Sequence, residues 1–227
     1  MRAQRSFPTD GGRARLVFTN RDHGDFAGGG DPGRCDREVR ALADLPWSWV
    51  RQVHGDAVVV VTEPGGGCGR EADALVASIP GALLTMRGAD CPLVAFVSKQ
   101  GVVALAHAGW RGLLAGVLPR TVAAMRDCGA TEVSAVLGPC ISAARYEFGE
   151  DDLAQAVAVL GVGVQGRTER DRPALDLVAG VIASLATSGV TVDLQSHRCT
   201  AGDESWYSHR TRGERGRHLA AIWMEGA

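Results

Sequence analysis

Residues 83–112 read LLTMRGADCPLVAFVSKQGVVALAHAGWRG, and the rest of the chain is best understood outward from them. Two apolar, β-branched runs, 92–97 and 102–106, flank the short polar turn 98–101, the pattern of a hairpin or of adjacent strands. Cys91 stands just ahead of the first run and His107 just after the second, so antiparallel pairing brings a thiol beside an imidazole. Such a pair is the outline of a metal site, or of a nucleophile with its base. Gly109-Trp110-Arg111-Gly112 then opens an apolar-periodic helix, whose free backbone N–H groups favour an anion at that end.

Upstream, residues 14–19 alternate as an opening strand, and the glycine-rich 25–33 is a flexible connection too short to separate domains. Residues 36–45 carry a weak helical period that Pro46 ends. Residues 47–54 (WSWVRQVH) alternate as a strand, which puts Gln52 and His54 on one face. The almost fully apolar 57–62 is the kind of strand buried on both sides. Residues 64–69 (PGGGCG) are loop and the stretch most prone to disorder.

Downstream, four short strands are expected at 74–78, 82–86, 92–97 and 102–107. An amphipathic helix follows over 112–128, kinked or split at Pro119, with Pro119 at the first position of its second half. A strand at 132–137, helices at 150–160 and 174–187, a strand at 190–194, a polar loop at 199–217 and a last strand at 219–224 complete the chain. Strands and helices do not alternate strictly, so the fold class is α+β: mixed β-sheets flanked by helices in one domain over 1–227, with 1–13 a flexible N-terminus.

Composition narrows the function. Hydrophobic residues make up 45% and charged residues 22%, which excludes a disordered chain, and the net charge of -2 gives no electrostatic case for nucleic acid. No apolar run approaches a membrane span, so a cytoplasmic protein acting on a small molecule is expected, as monomer or dimer. The six cysteines show no CxxC pair, so most read as buried free thiols.

Among the histidines, His23, His197, His209 and His218 lie in polar, Arg-rich surroundings where a solvated or hydrogen-bonded ring is expected. His54 and His107 each end a strand just before a small residue, where a ligand can approach the backbone. Two imidazoles and a thiolate, His54, His107 and Cys91, are a ligand set for catalytic zinc with an open position. The same residues also suit a nucleophilic Cys91 with a histidine base, and residue pattern alone leaves both open. Asp90 reads as an orienting partner, a general acid or base, or a turn residue. Arg21, Arg111 and Arg210 are candidates for phosphate, because a guanidinium fork matches its oxygens. Gln52 joins them as a substrate contact.

The motifs Arg51-Gln52-Val53-His54-Gly55, Ala72-Asp73-Ala74, Ala89-Asp90-Cys91, His107-Ala108-Gly109-Trp110-Arg111-Gly112, Leu137-Gly138-Pro139-Cys140-Ile141, Arg198-Cys199-Thr200 and Gly216-Arg217, in that order, closely resemble the YfiH-like family, also called the laccase-domain or polyphenol oxidase family and the peptidoglycan editing factor family. The resemblance runs from Phe18 onward. It implies zinc on His54, Cys91 and His107, a mixed α/β arrangement, and phosphate at Arg21. It also implies phosphorolysis of adenosine, inosine, guanosine and methylthioadenosine, with adenosine deaminase activity. The alternatives are a copper-dependent polyphenol oxidase, a peptidoglycan-precursor editing hydrolase with Cys91 as nucleophile, and a non-enzymatic protein with structural zinc. The chain departs from the family in its short 25–33 segment and in the proline directly after Cys91.

Overall fold

The computed structural model describes residues 3–27 and 32–226. In chain order the elements are β1 (Ala3–Thr9), β2 (Gly12–Phe18), α1 (Pro32–Arg40), β3 (Trp47–Ser48), β4 (Val58–Val61), β5 (Ala74–Ala77), β6 (Leu83–Gly88), β7 (Leu93–Ser98) and β8 (Val103–His107). Then come α2 (Trp110–Ala115), α3 (Val117–Asp127), β9 (Val133–Leu137), α4 (Glu150–Leu160), β10 (Gln165–Arg167), β11 (Pro173–Leu175), α5 (Leu177–Leu185), β12 (Thr191–Asp193), α6 (His209–Arg212) and β13 (His218–Gly226).

Two mixed sheets stack face to face: a five-stranded one ordered β1-β2-β13-β6-β3, and a six-stranded one ordered β12-β9-β7-β8-β5-β4. The period-two alternation of each strand explains the layering. Leu93, Ala95 and Val97 of β7 and Val103 and Leu105 of β8 meet Leu84, Met86, Ala220 and Ile222 between the sheets. The alternate residues Val94, Phe96, Ala104 and Ala106 face outward onto α2, α3, α4 and α5 through Leu113, Leu118, Val122, Leu153 and Val181. On the far side Val17, Leu83, Leu219 and Trp223 pack against Val39 of α1 and Phe26. The result is the α+β class read from the sequence, and among the described residues no helix is long and apolar enough to cross a membrane.

Several local expectations change. The expected flexible 1–13 instead supplies β1, which pairs with β2 from Ala3↔Phe18 to Thr9↔Gly12. The expected flexible connection 25–33 lies partly outside the described residues. Residues 47–54 form a strand only over Trp47–Ser48. Beyond it Arg51 makes an isolated parallel bridge with Glu71, and the N–H groups of Val53, His54 and Gly55 turn to the Asp73 carboxylate instead of a neighbouring strand. β4 is an edge strand with Val60 42% exposed, so it is not buried on both faces. The 64–69 loop folds back on β3, with Gly69 N–H donating to Trp49 O at 3.1 Å. The 112–128 helix is split three residues before Pro119, at Gly116, whose φ of 88° caps α2 in the left-handed region that glycine enters freely. Pro119 is the third residue of α3, still within the first turn, where its missing N–H costs no helical bond.

Candidate metal centre and the pocket around it

The sheets bring three separate segments to one end of the sandwich. His107 closes β8 opposite Leu93, and Cys91 lies in the turn that leads into β7, so the two meet as the hairpin pattern requires. His54 comes from the irregular segment between β3 and β4. One ligand atom from each of the three lies within 4.8 Å of the others. Cys91 Sγ is 3.9 Å from His54 Nε2, and the two imidazoles meet edge to face with centroids 4.7 Å apart. Gly109 makes this approach possible: a Cβ there would stand 2.8 Å from His54 Cδ2 and 3.2 Å from Cys91 Sγ.

Asp73 organises the group. Its carboxylate is fully buried. Oδ1 accepts from His107 Nδ1 at 2.8 Å and from the His54 N–H at 3.0 Å, while Oδ2 accepts the N–H groups of Val53 at 3.1 Å and Gly55 at 2.7 Å. One side chain thus selects the His107 tautomer, leaving Nε2 for the centre, and holds His54 at a φ of 59°, a region costly for a residue with a Cβ. Nothing in the local periodicity sets Asp73 apart. Its only sequence signal is the Ala72-Asp73-Ala74 motif.

The electrostatics follow from these contacts. Burial pushes the Cys91 thiol up, but the charge and hydrogen bond of His107, then those of His54, outweigh it and bring Cys91 down to about 6. Burial likewise pushes His107 down, and the Cys91 thiolate together with Asp73 reverses this to about 9. Without metal the pair is a thiolate beside an imidazolium.

The centre opens into a pocket of about 700 Å³. Among the described residues Arg51, Arg87, Arg111, Arg210 and Arg217 line it, against a single acid, Asp90. Trp49, Trp110 and Tyr146 line it as well.

A family model described as multi-copper polyphenol oxidoreductase laccase matches residues 33–225. The chain belongs to this laccase-domain, YfiH-like family. A purine nucleoside phosphorylase of Mycobacterium tuberculosis is 33% identical over 224 residues, covering 95% of this chain and 89% of its own. The purine nucleoside phosphorylase YfiH of Escherichia coli is 34% identical over 194 residues, covering 83% and 79%. Among solved structures, the Neisseria meningitidis protein NMB0706 superposes with a TM-score of 0.85 at 27% identity over 99% of both chains. YlmD of Geobacillus stearothermophilus gives 0.78 at 28% identity over 96% and 93%.

In this YfiH-like chain the remaining residues singled out from sequence fall into two groups. Gln52, Arg111 and Arg210 line the pocket. Gln52 spends its amide on the Arg87 backbone, donating to the carbonyl at 2.8 Å and accepting the N–H at 3.0 Å. Arg111 lies over the Trp110 ring at 4.3 Å, and Arg210 over the Tyr146 ring at 4.4 Å. Arg21 is placed elsewhere: it stacks on Tyr207, donates to the carbonyls of Glu204 and Trp206, and pairs with Glu214 at 2.7 Å. It clamps the 204–214 segment and does not line the pocket.

Asp90 is also differently employed. It adopts a φ of 85°, accepts Thr200 Oγ1–H at 2.6 Å and the Arg210 N–H at 2.7 Å, and bonds to neither imidazole. The orienting task belongs to Asp73, while Asp90 ties the Cys91 turn to the C-terminal segment. His218, read as solvated or hydrogen-bonded, is fully buried with neither ring nitrogen bonded. Its position at the start of β13 puts it on the face of Ala220 and Ile222, between the sheets.

Proposed function

We propose that the chain is a zinc-dependent purine nucleoside phosphorylase that also deaminates adenosine. The observation that carries this reading is a two-imidazole, one-thiolate cluster opening onto an arginine-lined pocket. The donor set fits zinc: two nitrogens and a sulfur, one imidazole already locked by a carboxylate, and a side left open toward the pocket. The relatives named as purine nucleoside phosphorylases supply the substrate class.

A zinc ion held by His54, Cys91 and His107 would supply Lewis acidity beside the bound purine nucleoside. The chain's own residues do the rest. Arg111 and Arg210, stiffened by the rings beneath them, hold orthophosphate for attack at the ribose anomeric carbon, and their charge offsets what the departing purine accumulates. Asp73 keeps His107 in register. Asp90, through Thr200 and the Arg210 backbone, keeps Arg210 at the rim of the pocket. Incubating metal-replete protein with inosine and phosphate should release hypoxanthine, and adenosine alone should yield inosine. Metal-replete protein that leaves inosine and phosphate unreacted would overturn the assignment.

A second reading has its own support: the Cys91 thiolate beside an imidazolium is also a nucleophile with its acid, as in a precursor-editing hydrolase. The two part on metal dependence. Zinc activates in the first and blocks the thiolate in the second. Copper also accepts Cys and His donors, but the described residues form only one cluster of three, which does not suit an oxidase built on several coppers.

A further inference from the structure

The pocket holds more positive charge than one orthophosphate and a neutral nucleoside require. Of its five arginines only Arg51 is ion-paired to a described residue, Glu71 at 2.8 Å. Asp90, the one acid among the described lining residues, has both carboxylate oxygens engaged. Among the described residues the other four guanidinium groups, permanently charged, line this pocket of about 700 Å³ without an ion-paired carboxylate, Arg87 also bonding the buried Cys35 thiol.

These four are not one patch. Arg111 is the second residue of α2 and Arg210 lies on α6 over Tyr146, both on the helical side of the six-stranded sheet, where Trp110 and Tyr146 pack into the outer core. Arg87 and Arg217 belong to the opposite layer. Leu219 faces Arg87 in the β6–β13 ladder, and Arg217 precedes Leu219 by two residues, so alternation sets both arginines on the outer face of the five-stranded sheet, with Leu83 and Phe26. Arg87 lies 5.8 Å from the Trp49 ring centroid. Among the described residues Arg217 donates from Nη1 to the carbonyls of Glu214, Arg215 and Gly216, which anchors the group and leaves Nε and Nη2 toward other partners. Both pairs line the pocket onto which His54, Cys91 and His107 open. Set on different layers, they offer two places for an anion.

We propose that this pocket takes a purine nucleoside bearing its own 5′-phosphate, held by Arg87 and Arg217, while orthophosphate sits at Arg111 and Arg210. The inference rests on the phosphorolytic reading and adds the substrate class. In the reaction the N9–C1′ bond breaks with its electron pair leaving on the purine, which takes up the proton given up by the attacking phosphate. A phosphate oxygen forms the new bond to C1′, and the 5′-phosphate is unchanged.

The test is calorimetric titration of the zinc-loaded full chain, at one fixed salt concentration, with inosine and with inosine 5′-monophosphate. The monophosphate should bind about ten- to a hundredfold more tightly, as expected for charge-assisted bonds to two guanidinium groups. In Arg87→Gln/Arg217→Gln that ratio should fall to within about twofold, and Arg87→Lys should retain part of it. Zinc content and circular dichroism check that each variant is folded; if the double variant is not, Arg217→Gln alone should lower the ratio. Equal binding of the two ligands by the wild-type chain, or no binding of either, would overturn the proposal. Phosphorolysis of inosine with equal binding refutes only the 5′-phosphate subsite. A strong preference for the monophosphate without any phosphorolysis supports the subsite and refutes the activity.

Discussion

Two imidazoles lie deep in the molecule, His107 at the end of β8 and His218 at the start of β13, and their protonation goes opposite ways. Burial pushes both down. His218 follows, to about 3, because burial is reinforced by the Arg217 charge and no hydrogen-bond partner opposes it. His107 ends at about 9, because the Cys91 thiolate and the Asp73 carboxylate reverse the effect. Depth alone therefore does not make a reactive centre. A fixed carboxylate and a thiolate at contact distance do.

The largest expected effect breaks the His107 half of the contrast. In metal-free protein, alkylation of Cys91 by iodoacetamide should follow a midpoint near pH 6, with the other cysteines replaced by Ser or Ala. The pair is nearly silent in stability over the neutral range, because folding mainly moves a proton from the thiol to the ring. Reactivity exposes it instead. In His107→Ala the chief opposing charge is gone, so the midpoint should rise toward that of an ordinary thiol, and the rate at pH 7 should fall about a hundredfold. Identical pH profiles for the two proteins would dissolve the ion pair. Added zinc should suppress the wild-type reaction.

Asp73 sharpens the comparison next. Asp73→Asn keeps the size of the side chain but removes the charge that orients His107 and gathers the N–H groups of residues 53–55. Zinc affinity, measured by competition with a chromogenic chelator, should drop about ten- to a hundredfold while the fold persists. An unchanged affinity would mean that the buried carboxylate holds the loop and nothing more.

The contrast also shows what sequence could and could not carry. The β7–β8 hairpin, with Cys91 and His107 at its open end, follows from alternation and from a short polar turn, both local signals. The two sheets and the helical layer follow likewise. His54 was harder, because residues 47–54 alternate like a strand, yet the chain leaves the ladder after Ser48. The competing partners are the backbone of 69–72 for residues 49–51 and the Asp73 carboxylate for residues 53–55, and no window around His54 contains either. Arg21 lies away from the pocket lining for the same reason. Its partners, Glu204, Trp206 and Glu214, are nearly the whole chain away and become neighbours only through the β2–β13 pairing.

Two arginines give a further discrimination. Arg111→Gln, in the pocket, should raise the KM for phosphate about tenfold or more with little change in melting temperature. Arg21→Gln should do the reverse, lowering stability by about 1 kcal/mol through its lost ion pair and carbonyl bonds while leaving the phosphate KM in place. If Arg21→Gln alone raised that KM, the placement of the anion site would have to move.

At neutral pH the smallest effect belongs to His218. Its folded pKa of about 3 lies below the ordinary histidine value of 6.5, so the unfolded chain takes a proton that the fold refuses. Stability is unaffected by this group above about pH 6.5 and declines as pH falls from there toward 3, by up to about 1.4 kcal/mol per pH unit. His218→Leu removes both the titration and an unbonded ring N–H. It should be about 1 kcal/mol more stable than wild type at pH 7, and its advantage in urea denaturation should widen at pH 5 and again at pH 4. A constant difference across that range would require His218 to find a partner for its charge inside the fold, and the opposition between the two buried rings would then reduce to a difference of degree.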